Sequence, residues 1–156
     1  MIDIATASQL LNFGARIGSG PRAEEQLEGA VAIHNILERH RVAYLADEVG
    51  MGKTYVALGA LALFRHFQPD FRVLIIAPRG NIQRKWMKEF GNFVAYNVKY
   101  PDLRVRAIDG QPARPLVACE NLIDFVREVV IDSKRDFFLR LSSFSLALSD
   151  DVERRG

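Results

Sequence analysis

The sequence predicts an α/β domain built on a mainly parallel sheet, and three observations predict it. Short apolar runs of strand length alternate with longer stretches of helical periodicity. Strand, helix and strand follow one another within about 35 residues, the spacing of a right-handed βαβ crossover. Hydrophobic residues make up 49% of the 156-residue chain, enough to bury one sizeable core.

The elements follow in order. Asn12 to Arg22 carries Gly14, Gly18, Gly20 and Pro21 and reads as a loop, so residues 1–20 are expected to form an N-terminal arm and residues 21–156 the body. From Ala23 to Arg41, Leu27, Ala30, Val31, Ile33, Ile36 and Leu37 recur at helical spacing, with Glu24 and Glu25 complementing the dipole of the first turn. Val42 to Ala46 is a short apolar run read as a strand. Tyr55 to Phe67 is apolar almost all round, as in a helix packed on a sheet. Arg72 to Ala77 reads as a strand buried on both faces and ended by Pro78. Ile82, Trp86 and Phe90 then sit four apart on one helical face, which assigns Trp86 to the core. Leu103 to Ile108 alternates like a further strand, and Leu122, Phe125, Val126, Val129 and Val130 repeat at helical spacing. Phe137 to Leu148 has no clear period and is left between strand and helix.

Composition narrows the function classes without naming one. A net charge of +2 gives no overall basic field, so contact with nucleic acid requires a local patch. Cys119 is the only cysteine, which excludes an intrachain disulfide or a cysteine-based zinc site and points to a reducing compartment. Met1 to Leu11 lacks the basic start of a signal peptide, and the apolar stretches are too short to span a membrane. The expectation is a cytoplasmic protein. His34, His40 and His66 lie on helices without partners at ligand spacing and are expected at surfaces or helix ends.

The chemistry concentrates in Leu45 to Thr54, L-A-D-E-V-G-M-G-K-T, between the expected strand and helix. Gly50 and Gly52 allow left-handed backbone and bring successive N–H groups close to phosphate oxygens. Lys53 supplies a point charge for the β- and γ-phosphates, and the Thr54 hydroxyl can ligate Mg²⁺ at a helix start whose dipole faces the same anion. The strict phosphate-loop pattern has glycine at position 47. Asp47 stands there instead, a residue that tolerates tight turns. A glycine-rich turn with a surface lysine is the plainer alternative, but it leaves the flanking strand and helix unexplained.

These residues resemble the first motor domain of superfamily-two helicases, in particular the Swi/Snf-like branch of double-stranded-DNA translocases. In that branch Asp commonly occupies the position of Asp47. Val73 to Phe90, V-L-I-I-A-P-R-G-N-I-Q-R-K-W-M-K-E-F, resembles its motif Ia. Gln26, about twenty residues before the phosphate loop, is similar to the family's adenine-reading glutamine, whose amide donates and accepts at once; a solvated helical glutamine is the alternative.

The resemblance covers roughly residues 20 to 110 and implies a three-layer RecA-like P-loop NTPase domain, incomplete in this chain. It implies ATP and Mg²⁺ held by Gln26, Asp47, Glu48, Val49, Gly50, Met51, Gly52, Lys53 and Thr54. It also implies nucleic acid, double-stranded DNA above all, on Arg79, Gly80 and Asn81, with Arg84, Lys85 and Lys88 adding charge nearby. No D-E-x-H box follows Lys53; Val129-Val130-Ile131-Asp132 lacks the Glu and lies in a helical pattern. The chain is therefore expected to be the N-terminal part of a larger motor, missing its C-terminal motor domain and without turnover alone. If it turned over, Glu48, Glu120 and Asp132 would be the first carboxylates to examine. A non-catalytic module derived from a helicase and a different P-loop NTPase are the alternatives.

Overall fold

A computed structural model describes residues 1–46, 52–68, 70–100 and 116–144. The expected strand at Leu103 to Ile108 lies outside them, as do Asp47, Glu48, Val49, Gly50 and Met51 of the phosphate motif.

The N-terminal segment folds as two short helices, α1 (Ile4–Leu10) and α2 (Gly14–Ile17). Asp3 caps α1 by accepting a hydrogen bond from the Thr6 amide at 2.7 Å. The long helix α3 (Pro21–His40) opens with proline at its first turn, carries Glu24 there, and ends at Arg41 in the left-handed region, φ 65°. Helix α4 (Lys53–Phe67) starts directly after Gly52. The remainder is β1 (Leu74–Ala77), α5 (Gly80–Tyr96), β2 (Leu116–Cys119), α6 (Leu122–Ile131), β3 (Asp136–Arg140) and a 3₁₀ turn (Leu141–Phe144).

The sheet is parallel throughout, in the order β1-β3-β2. Its central strand, β3, comes from the stretch with no legible period. Phe137 and Leu139 point to one face, where Phe125 of α6 meets Phe137 edge-on with ring centroids 5.4 Å apart. Phe138 points to the other, against Phe90 of α5 at 6.1 Å. Helices thus cover both faces, and the fold is α/β with a small parallel sheet between helical layers, an incomplete RecA-like domain.

Two expectations about strands are corrected. Val42–Ala46 is described but forms no strand; Val42 is 74% and Tyr44 89% exposed, because apolar residues alone make no ladder without a partner's N–H and C=O groups. Nor is β1 buried on both faces. Leu74 pairs in register with Phe137 and Ile76 with Leu139, so both share the face of α6, but that helix packs over β2 and β3 and leaves Leu74 and Ile76 half-exposed.

The main core joins Ala7, Leu11 and Phe13 of the N-terminal segment to α3, α4, α5 and Phe138. Trp86 and Ile82 line α5 partly buried and Phe90 is fully enclosed, as the spacing requires. Helices α3 and α4 cross closely at Gly59, where a Cβ would lie 2.7 Å from the Phe13 ring and 2.9 Å from Ala30 Cβ. His34 departs from expectation. It is buried at 2% exposure against Phe64, ring centroids 4.3 Å apart, because it continues the Gln26–Ala30 stripe of α3.

A candidate nucleotide cleft and an exposed basic helix face

Gly52 takes φ 81° and ψ 25° as the residue before α4, a left-handed turn that glycine adopts without the Cβ penalty. A Cβ there would collide with the Gln26 side-chain amide. Two residues far apart in sequence therefore touch because α3 and α4 pack side by side along much of their length. Gln26 is only 6% exposed, so the solvated-helix alternative does not describe it.

Around this contact lies a cleft of about 620 Å³, within the size range of small-molecule and cofactor sites. Gln26, Gly52, Lys53 and Thr54 all line it. So do Phe13, Arg16 and Ile17 from the N-terminal segment, Arg22 at the start of α3, and Lys85 and Glu89 from α5. Among the described residues the lining carries the cations Arg16, Arg22, Lys53 and Lys85 and the carboxylate Glu89. Lys53 and Thr54 occupy the first two positions of α4, where the unpaired amides and dipole of a helix N-terminus favour an anion. A nucleotide's phosphates fit this donor set. The side-chain-free Gly52 admits the Gln26 amide beside the turn, and Thr54 offers a hydroxyl where a phosphate-bound Mg²⁺ would be completed.

Tyr55 also lines the cleft. Burial, chiefly, and its hydrogen bond to Glu89 push the phenol above the ordinary tyrosine range, while a hydrogen bond from Arg16 pulls the other way. Its ring meets Phe93 edge-on at 5.5 Å. Sequence reasoning missed Phe13, Arg16, Ile17, Arg22, Tyr55, Glu89 and Asn97 as cleft residues. Arg16 and Ile17 sit in a glycine-rich stretch that reads as a linker, and nothing in the pattern marks Asn97.

The residues expected to meet nucleic acid separate into two groups. Arg79, Asn81, Arg84 and Lys88 are exposed, and Asn81, Arg84 and Lys88 fall at spacings of three and four on one side of α5. Lys85 instead lines the cleft. Gly80 lies beneath Arg140, whose guanidinium atoms would be 3.2 Å from a Cβ at that position.

The carboxyl ends of the strands carry a second polar cluster that the sequence did not announce. Gln83, 2% exposed, donates its amide to Phe138 O at 2.7 Å and Cys119 O at 3.2 Å, and accepts from Arg140 Nε at 3.3 Å. Arg140 also pairs with Glu120 at 3.5 Å. Asp132 ends α6, where its carboxylate accepts from the Lys134 amide at 2.9 Å; Val129 to Asp132 is helix end, not strand. At the opposite end of β3, Arg65 of α4 forms a fully buried ion pair with Asp136 and lies over the Phe90 ring, 5.1 Å from its centroid. Among the described residues no helix is long and apolar enough to cross a membrane.

The family model described as "Type III restriction enzyme, res subunit" matches residues 22–115, more than half of the chain. No curated protein and no solved structure gives a significant match.

Proposed function

The chain belongs to the Type III restriction enzyme res subunit family and is a helicase-like nucleotide-binding module of superfamily two; from that premise we propose that it is the ATP-binding part of a nucleic-acid-dependent ATPase. ATP is held by Gln26 and residues 47–54, with Mg²⁺ on the Thr54 hydroxyl and the phosphates. Residues 21–156 form the motor portion and residues 1–20 an arm folded against it. The single buried thiol, Cys119, suits a reducing cytoplasmic setting.

One observation carries this reading: the Gln26 amide packed against the left-handed Gly52 in a cationic cleft at the start of α4. An amide that donates and accepts suits the adenine edge, and the helix start with Lys53 suits the phosphates, so one cleft offers chemistry for both ends of the ligand. The groups here bind and orient. Phosphoryl transfer further requires an oriented water and stabilisation of developing charge, and loss of an arginine finger alone costs about 10³ to 10⁵ in rate.

Nucleic acid, double-stranded DNA by the resemblance to the Swi/Snf-like branch, would lie on the exposed Arg79, Asn81, Arg84 and Lys88 side of α5. We propose that the chain alone turns over negligibly. In support, the carboxyl end of β3 carries Arg140, Leu141, Ser142 and Ser143, and the neighbouring Glu120 is engaged by Arg140. The same observation favours the second reading, a module that keeps the fold and the nucleotide without the engine.

Calorimetric titration with ATP and Mg²⁺ tests the first claim. Lys53→Ala should lose binding while its melting temperature without ligand stays that of wild type; equal binding by both proteins would overturn the nucleotide reading. Phosphate release with and without duplex DNA, using Lys53→Ala as the contamination control, tests the second. DNA-stimulated turnover absent from the variant would show that a catalytic carboxylate is present.

A further inference from the structure

We infer that Lys85 belongs to the anion-binding wall of the nucleotide cleft and not to the nucleic-acid face, so that α5 offers its basic residues to two different ligands from two sides. The inference rests on the reading of the cleft as a nucleotide site. It reassigns a residue that sequence position alone groups with Arg84 and Lys88.

The geometry is that of a helix turning about 100° per residue. Asn81, Arg84 and Lys88 form one exposed row. Lys85 lies about 100° round the helix from Arg84, at the opposite edge of that row; it lines the cleft with Gly52, Lys53 and Thr54 and shares its side of α5 with Glu89 one turn later. Glu89 is the carboxylate expected to neutralise Lys85, but it accepts a hydrogen bond from the Tyr55 phenol and so is held toward α4. Among the described residues Lys85 makes no ion pair. Its ammonium is a solvated point charge at the rim of a cleft that already contains Arg16, Arg22 and Lys53. A phosphate chain bound at the start of α4 would complete that cluster; lysine, with three rotatable donors on a long stem, reaches such a ligand without a fixed geometry.

Because Lys85 is exposed before ligand arrives, its contribution is that of a partly screened charge-assisted contact. Lys85→Gln should weaken binding of ATP by about three- to tenfold, read by calorimetry at fixed ionic strength. It should leave the affinity for a short duplex, and its slope against salt concentration, unchanged. Arg84→Gln should do the reverse, with the slope becoming shallower by about 0.9, the share of one neutralised phosphate. Lys134→Gln, an exposed lysine on the turn before β3, controls for removal of one positive charge at a distance, and Lys85→Arg should restore most of the nucleotide affinity.

Unchanged nucleotide binding in Lys85→Gln, or a reduced DNA salt slope in that variant, overturns the inference. If Lys53→Ala also leaves nucleotide binding intact, the nucleotide reading of the cleft fails with it. If Lys53→Ala abolishes binding and Lys85→Gln does not alter it, only the assignment of Lys85 fails. If wild type shows no affinity for duplex DNA, the nucleotide titrations decide alone.

Discussion

The cleft at the start of α4 and the polar cluster around β3 use similar residues in opposite ways. In the cleft, among the described residues, Lys53, Lys85 and Glu89 line an opening of about 620 Å³. Around β3 the charged and amide groups are closed on one another: Arg65 with Asp136 in full burial, Gln83 with two strand carbonyls, Arg140 with Gln83 and Glu120. A buried charge must be paired, because desolvation otherwise outweighs everything it contributes, whereas a ligand site must leave its polar groups for the ligand. The difference separates a binding region from its support. Substitutions in the first should move affinity with stability intact, and substitutions in the second should do the reverse.

The largest expected effect lies in the support. Asp136→Ala breaks the buried Arg65–Asp136 pair, which should cost about 3–5 kcal/mol of stability, read as a fall in urea midpoint at unchanged slope. Replacing both partners by apolar residues of similar volume should recover much of that stability. A double variant as unstable as Asp136→Ala would mean that the pair fixes the position of β3 through more than charge.

Next comes Gly59→Val, which tests the crossing that brings Gln26 to Gly52. The side chain would meet Phe13 and Ala30 below van der Waals distance, and overpacking of this kind costs about 1–3 kcal/mol. Any separation of α3 from α4 should also weaken nucleotide binding, so this variant should break the rule that support and binding are independent. Gln83→Ala should not break it. Removing the amide shared by Cys119 O and Phe138 O should cost about 1–3 kcal/mol, with nucleotide affinity preserved at temperatures where the protein remains folded.

Much of this division was legible in the sequence, for unequal physical reasons. Helices α3, α4, α5 and α6 fall where the apolar pattern places them: α3 and α5 each bury one stripe, and α4 is buried almost all round. Gln26, Gly52, Lys53 and Thr54 do come together in one cleft. The strands were harder. Val42–Ala46 and Phe137–Leu139 are both short apolar runs, and length ranks the first above the second; only the second finds partners on both sides. Strand identity is a property of pairing, which a local window does not contain. The buried polar groups were illegible for a related reason. Arg65, Gln83 and His34 each read as ordinary polar positions on helices, and what buries them is an element elsewhere: β3 for the first two, the aromatic end of α4 for the third.

The smallest effect concerns Tyr55, where the two regions' rules meet, since its phenol lines the cleft yet is partly buried and hydrogen-bonded. Burial and the Glu89 carboxylate hold its folded pKa above the unfolded value of about 10. Between those two values the folded state binds more protons than the unfolded state, so stability falls as pH rises through that window. The contribution is fully present below about pH 10 and lost once the folded phenol ionises. Tyr55→Phe keeps the edge-on packing against Phe93 and removes the titrating group, so its stability should fall less steeply than that of wild type above about pH 10, in urea melts at matched ionic strength. At neutral pH the variant releases Glu89 from its donor and allows that carboxylate to reach Lys85 one turn away on α5. Nucleotide affinity should therefore drop modestly at about pH 7, and Lys85→Gln should add little to that drop in the double variant. Full additivity of the two substitutions would show that Tyr55 and Lys85 act on the cleft independently.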